Sequence, residues 1–241
     1  MTTHRLFCPD LRPGPVTLGG EEAHHAIAAL RAKLGQRMIL FNGAGSEAEA
    51  AVSRVGRRHL YLEAGPVADR PFEFPRKVTL AVAMPRRHRQ AYLIEKCTEL
   101  GAWAFWPVIA RRSVTRPDAI AVDKWVRRAI EAAKQSQRAF VPTFEPPRLI
   151  AACLDRSNEF DALVMAHRAR PGEGWAGFLK NHPDKLSILV FVGPEGGWSD
   201  EEVEACLAAG AHSVCLSPTV LRTETAAVAV CAAVALEERS D

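Results

Sequence analysis

The feature that most constrains this chain is a largely apolar run, Leu186 to Val192, that feeds straight into a glycine turn, Gly193-Pro194-Glu195-Gly196-Gly197-Trp198. Its length and β-branched content are those of a buried strand in a parallel sheet. A helix follows at once, because Ser199 is a natural N-cap and Glu202, three residues on, completes a capping box ahead of Val203, Cys206 and Leu207. Glycine in such a turn lets main-chain groups approach a ligand with no side chain in the way.

The same grammar recurs about one βαβ unit later. Ser213 to Leu216 reads as a short strand, residues 217 to 223 as a polar turn, and Thr225 onward as an alanine- and valine-rich helix. Glu224 faces the positive end of that helix, and Arg222 is placed to reach an anion or carbonyl in the crevice at the strand ends. Singly, a glycine turn is a packing device and Glu224 a dipole partner; the pair of turns on neighbouring strand ends points to a ligand. The nucleotide fingerprints fail. No Lys-Ser or Lys-Thr follows the glycines, the spacing is not G-x-G-x-x-G, and no acidic residue ends a following strand to hold a ribose. A phosphate-poor adenosyl ligand fits better.

The rest of the chain divides in two. From Arg5 to about Leu62 the elements are short, with a helix over 21–34 and strands at 37–42, 48–54 and 58–63, a pattern that suits a small β-barrel. Pro66 to Pro75 reads as a linker, since proline interrupts both helix and ladder pairing. From Val78 on, strands at 78–84, 104–110, 160–166, 187–192 and 213–216 alternate with helices at 89–101, 123–138, 148–155, 174–181, 200–209 and 225–238, which predicts an α/β domain with a mainly parallel sheet.

Composition excludes several classes. A chain of 241 residues with 48% hydrophobic content buries a sizeable core. No apolar run reaches the ~18 residues of a membrane span and no signal-peptide pattern opens the chain, so the expected location is cytoplasmic, with no membrane partner. The six cysteines have no C-x-x-C spacing, and the adjacent His24 and His25 point in different directions on a helix, so no metal is expected. A net charge of +3 is small, but Arg76, Lys77, Arg86, Arg87 and Arg89 run without an acid between Lys77 and Arg89, and Arg111, Arg112 and Arg116 cluster after the next strand. Such a stripe at strand ends suits phosphate neutralisation on RNA.

The segments GPEGGWSDEE and LSPTVLRTETAA resemble the two characteristic stretches of the bacterial ribosomal RNA small-subunit methyltransferase E family, within the SPOUT superfamily. The resemblance extends in order through His4-Arg5-Leu6-Phe7, His24-His25 with Leu30-Arg31, Leu40-Phe41-Asn42-Gly43, Glu95 to Gly101, Arg112-Ser113 and Ala132 to Arg138, nearly the whole chain. It implies a PUA-like β-barrel over residues 1–72 and a trefoil-knotted α/β methyltransferase domain over 73–241, working as a homodimer. Only the resemblance implies the knot, because the default rule of chain topology excludes one. The implied activity is S-adenosylmethionine-dependent methylation of N3 of one uridine in 16S rRNA, in the decoding-centre region of the small ribosomal subunit.

The resemblance carries the cofactor loops onto Gly193, Pro194, Glu195, Gly196, Gly197, Leu216, Ser217, Pro218, Leu221, Arg222 and Thr223. Arg222 is the first candidate to ease the uracil charge, with Arg112 and Arg138 behind it; Glu224 or Glu195 is the candidate base, and water can also take the proton. Arg5, Arg31, Arg86, Arg87, Arg89, Arg112 and Arg138 are the candidate RNA contacts. The chain departs from the family where Ser217 and Thr219 replace the usual Gly and Arg, and Lys134 and Gln137 the usual Glu and Gly. If the family glycine needs positive φ, Ser217 demands a different turn. Tryptophans 103, 106 and 125 read as core or interface anchors before base-stacking platforms. Three other functions stay open: a SPOUT enzyme acting on another RNA such as tRNA, a non-catalytic RNA-binding assembly factor, and an oxidoreductase that lacks its dinucleotide fingerprint.

Overall fold

The structure, a computed structural model, describes residues 4–117, 119–167 and 173–237. The chain forms two compact units. The described residues up to Glu73, joined by Ile130–Val141, make the first; Phe74–Ala129 with the chain from Pro142 onward make the second.

The first unit is built on a six-stranded sheet from β1 (Arg5–Phe7), β2 (Gly14–Leu18), β3 (Arg37–Phe41), β4 (Ser46–Val55), β5 (Leu60–Ala64) and β6 (Ala68–Asp69). Its order is β1-β3-β4-β5-β2, with β6 also on β4 and only the β1/β3 pair parallel. Along β4, Ala48, Ala50 and Val52 turn inward with the period of two that a half-buried strand requires. They join Leu6, Met38, Leu40, Leu60 and Leu62 in one core.

The helix expected over 21–34 is shorter. Helix α1 (Gly20–His24) passes into a π-helical turn, His25–Ala29, and ends at Leu30. Arg31 then adopts φ +52°, a left-handed conformation that no helix continues through. The sequence boundary after residue 72 also leaves out Ile130–Val141, which belong to this unit because Phe140 packs edge-on against Phe72, pairs with Gly43 and Ala44, and follows an Arg138 held by Glu73. The two-residue strand β6, together with β1 and β2, carried no periodic signal long enough to read.

The second unit holds an eight-stranded, wholly parallel sheet. Its elements are β7 (Lys77–Val82), α2 (Arg87–Glu99), β8 (Ala104–Ile109), α3 (Ala119–Ser136, whose last turns group with the first unit), β9 (Thr143–Phe144), β10 (Arg148–Leu149), α4 (Ile150–Leu154), β11 (Ala162–Ala166), β12 (Glu173–Gly174), α5 (Trp175–Asn181), β13 (Ser187–Val192), α6 (Asp200–Ala208), β14 (His212–Cys215) and α7 (Thr223–Ala235). The order is β10-β8-β7-β13-β11-β14-β12, with β9 on β8. Strand β13 therefore inserts between β7 and β11, both formed earlier in the chain, and β14 returns on the far side of β11. Leu189, Val190 and Phe191 of β13 are fully buried, as expected for a strand covered on both faces. Trp106 and Trp125 are core residues, and the Trp125 indole N–H donates to Gln90 Oε1 at 3.0 Å.

One arginine leaves the basic stripe read from the sequence. Arg76 is 6% exposed, and its guanidinium meets Glu237 at 2.7 and 2.9 Å and donates to the carbonyls of Leu179, His182 and Lys185. It is an interior tie that carries no free charge to a ligand.

Candidate functional site

The C-terminal ends of β13, β11 and β14 lie side by side, and the crevice beyond them is where open parallel sheets collect ligands. A cavity of about 430 Å³ opens there, lined by the turn after β13, Ala166 and His167 at the end of β11, and the turn after β14. Its size falls in the range of small-molecule sites.

Each wall is held by local chemistry. After β13, Gly197 adopts φ +70°, which glycine alone takes without strain, and its N–H closes the turn on the Pro194 carbonyl at 2.8 Å. A methyl group on Gly193 would stand 3.0 Å from the Trp198 indole, so the ring packs directly on the main chain. The capping box read from the sequence is present: Ser199 Oγ accepts from the Glu202 N–H while Glu202 Oε2 accepts from the Ser199 N–H. Glu202 Oε1 also accepts from the Arg111 N–H at 2.7 Å, which ties the turn to the end of β8.

The second wall answers the question that Ser217 raised. Ser217 does not take positive φ; among the described residues only Arg31 and Gln137 do so without being glycine. Ser217 Oγ instead accepts from the Thr219 N–H at 3.2 Å and sits 3.0 Å from Thr219 Oγ1. The two residues that depart from the family thus close a side-chain-to-main-chain turn of their own. Thr223, buried at the start of α7, donates its hydroxyl to the Gly193 carbonyl at 2.8 Å and joins the two walls.

Of the sequence-predicted cofactor residues, Gly193, Pro194, Glu195, Gly197, Leu216, Ser217, Leu221 and Thr223 line the cavity, whereas Gly196, Pro218 and Arg222 lie off its lining. Arg222 is exposed at the N-cap of α7, between the wall residues Leu221 and Thr223. Arg112 lines the cavity, and its guanidinium donates to the carbonyls of Gly196 at 3.3 Å and Trp198 at 3.0 Å. Glu224 is buried at the α7 N-terminus, and Arg89 on α2 stands between it, at 3.5 Å, and Glu195, at 3.4 Å.

The remaining candidate RNA contacts separate by exposure. Arg31 and Arg86 are exposed. Arg87 opens α2, but its side chain lies outside the described residues. In the first unit Arg5 is half-buried and Arg138 buried: Arg5 pairs with Glu47 at 3.0 Å and donates to the Arg138 carbonyl, while Arg138 is 3% exposed against Glu73.

Ala166 and His167 carry no local mark of a wall residue, whereas Trp198 already stands in the glycine turn. Only the placing of β11 between β13 and β14 brings the first two in. The indole N–H of Trp198 is buried without a partner among the described residues. Thiol chemistry is not offered by the buried cysteines, since burial pushes Cys153 up to about 11 and Cys206 up to about 12.

This fold and site define an RNA methyltransferase: a family model described as an RNA methyltransferase domain matches residues 72–235, and one described as an RNA methyltransferase PUA domain matches residues 18–64. The ribosomal RNA small subunit methyltransferase E of Bacillus subtilis is 32% identical over 218 residues, 87% of this chain and 85% of the relative. That of Mycobacterium bovis is 33% identical over 95% of this chain and 90% of its own length. The crystal structure of the Neisseria gonorrhoeae ribosomal RNA small subunit methyltransferase E bound to S-adenosyl methionine superposes with a TM-score of 0.86 at 30% identity, covering 96% of each chain. The chain belongs to the ribosomal RNA small subunit methyltransferase E family.

Proposed function

We propose that the chain transfers a methyl group from S-adenosylmethionine to N3 of one uridine of 16S rRNA, in the decoding-centre region of the small ribosomal subunit. The observation that carries this reading is a ligand-sized cavity walled by two main-chain turns that Thr223 and Gly193 hold together. The wall chemistry fits an adenosyl sulfonium. Among the described residues no lysine lines the cavity and the Trp198 N–H has no acceptor, while Val192, Leu216 and Leu221 supply apolar surface. The cofactor, when bound, supplies an electrophilic methyl group on sulfur.

The chain's own residues then do the positioning, which dominates an in-line displacement. The main chain of the wall residues Gly193, Pro194, Glu195, Gly197, Leu216, Ser217, Leu221 and Thr223 would hold the adenosyl part of the cofactor. Arg222, exposed beside the wall, stabilises the negative charge that spreads over uracil N3, O2 and O4 as the N3 proton leaves. Arg112, turned to the Gly196 and Trp198 carbonyls, fixes the first turn. Of the two carboxylates, Glu195 is the one on the cavity wall and is the candidate acceptor of the proton, to the exclusion of the buried Glu224.

The same reading assigns the first unit to a PUA-like β-barrel and the second to a trefoil-knotted SPOUT domain, the chain working as a cytoplasmic homodimer. The six-stranded sheet supports the barrel, and the insertion of β13 between β7 and β11 supports the knot. Arg31, Arg86, Arg87, Arg89 and Arg112 are assigned to RNA contact; Arg5 and Arg138 shape the surface from inside. The test is calorimetric titration with S-adenosylmethionine, followed by methyl transfer to undermethylated small subunits with mass analysis of the modified nucleoside. Cofactor binding by the wild type and Arg222→Ala alike, with 3-methyluridine formed only by the wild type, supports the assignment. No binding by the wild type overturns it.

A further inference from the structure

On the second unit, at the opposite end of β14 from the cofactor turn, Glu173, His182 and His212 converge. One ligand atom from each lies within 4.8 Å of the other two. They are separated by nine and by thirty residues in the chain and form no sequence motif. Glu173 begins the α5 region, His182 follows its last turn, and His212 opens β14.

The three are held in place by their neighbours. Phe178 backs both rings, with centroids 4.7 Å from His182 and 5.1 Å from His212, and the two imidazoles are 4.8 Å apart. Asn181 donates to Glu173 Oε2 at 2.9 Å, leaving Oε1 toward His182 Nε2 at 3.6 Å. Arg76 grips the carbonyls of His182 and Lys185, so the main chain after α5 is fixed by an interior guanidinium. Lys185, beyond the end of α5, is paired with Asp184 at 3.0 Å.

We propose that Glu173, His182 and His212 bind a divalent first-row transition cation, with water completing its coordination. Two imidazoles and one carboxylate are a zinc-type donor set, and ligand atoms on such an ion stand roughly 3–3.5 Å apart. Closing on it asks for about one ångström of side-chain rotation from the separations present. The ion would tie the end of α5 to the start of β14, the strand that leads into the second cofactor turn.

The test uses the full chain, freed of metal by chelation and titrated with Zn2+ by calorimetry and with Co2+ by visible absorption. Wild type is expected to bind one Zn2+ and to gain a rise in melting temperature. Glu173→Gln, His182→Ala and His212→Ala each weaken Zn2+ at least tenfold, with metal-free melting curves checking that they fold. The Co2+ form is expected to show d–d bands with no thiolate charge-transfer band. Absence of Zn2+ binding by the wild type, unchanged affinity in the folded histidine variants, or a thiolate band that places the ion on Cys215 would each overturn the proposal.

Discussion

The Thr223 hydroxyl donates to the Gly193 carbonyl at 2.8 Å across thirty residues of sequence, and this single bond fastens the start of α7 to the glycine turn after β13. Both residues line the cavity, so the bond sets the distance between the two halves of the cofactor site. Thr223→Val keeps the shape and removes the donor, leaving a partly buried carbonyl unpaired. The expected cost is about 1 kcal/mol, read as roughly a fivefold loss in S-adenosylmethionine affinity by calorimetry.

A second effect sits at the end of α3. The Arg138 N–H reaches the Ala133 carbonyl at 3.0 Å and the Gln137 N–H the Lys134 carbonyl at 3.4 Å, the pairing that closes a helix around a left-handed residue. That residue is the exposed Gln137, at φ +61°. A β-carbon there is strained and its side chain covers no core. Gln137→Gly is expected to stabilise the protein by about 0.5–1 kcal/mol, the relief of strain exceeding the added chain entropy, as measured by urea unfolding.

Lys134 sits in the same turn, where it meets Glu22 at 2.8 Å and Glu131. Burial alone would lower its pKa, but the hydrogen bonds it donates to the Glu131 and Glu22 carboxylates outweigh it and raise it, so the ammonium stays charged. The charge of Lys134 is therefore neutralised locally by two carboxylates.

Acid should weaken the first unit through Glu47. Burial alone would raise its pKa, yet hydrogen bonds from Arg70 at 2.6 Å and Arg5 at 3.0 Å prevail and lower it. A depressed carboxylate contributes stability that is fully present above its unfolded pKa of about 4.3 and is lost as pH falls through the lower folded value. The urea midpoint of the wild type is expected to drop between about pH 4.5 and pH 3, and Glu47→Gln to flatten that part of the slope while lowering stability at pH 7.

How far the sequence carried depends on the range of the interaction. The βα units at 187–208 and 212–235 were legible because strand length, capping box and turn residues are local, and Ser199 and Glu202 pair as read. The cavity wall at Ala166 and His167 was not, since only sheet order brings β11 between the two turns. Charge was the least legible property. Arg76 and Arg138 look like surface cations in sequence, but their partners, Glu237 and Glu73, lie 161 and 65 residues away. The Glu173, His182 and His212 cluster was invisible for the same reason, because three elements supply one ligand each.

Arg89 carries the most exacting prediction. Its guanidinium stands between Glu195 of the first turn and Glu224 at the α7 N-terminus, at 3.4 and 3.5 Å. Glu224 is 7% exposed, and its Oε2 is buried without a hydrogen-bond partner among the described residues, so Arg89 and the helix N-terminus offset its charge. Arg89→Met leaves that carboxylate buried against an apolar chain, an expected loss of about 2 kcal/mol. Glu224→Gln removes the charge instead and should be milder, because the helix keeps its polar residue at that position. Combined, the two changes are expected to cost less than their sum, with a coupling of about 1 kcal/mol in a double-mutant cycle of urea unfolding. Strict additivity would mean that the ion pair is idle and that Arg89 is free to serve bound RNA alone.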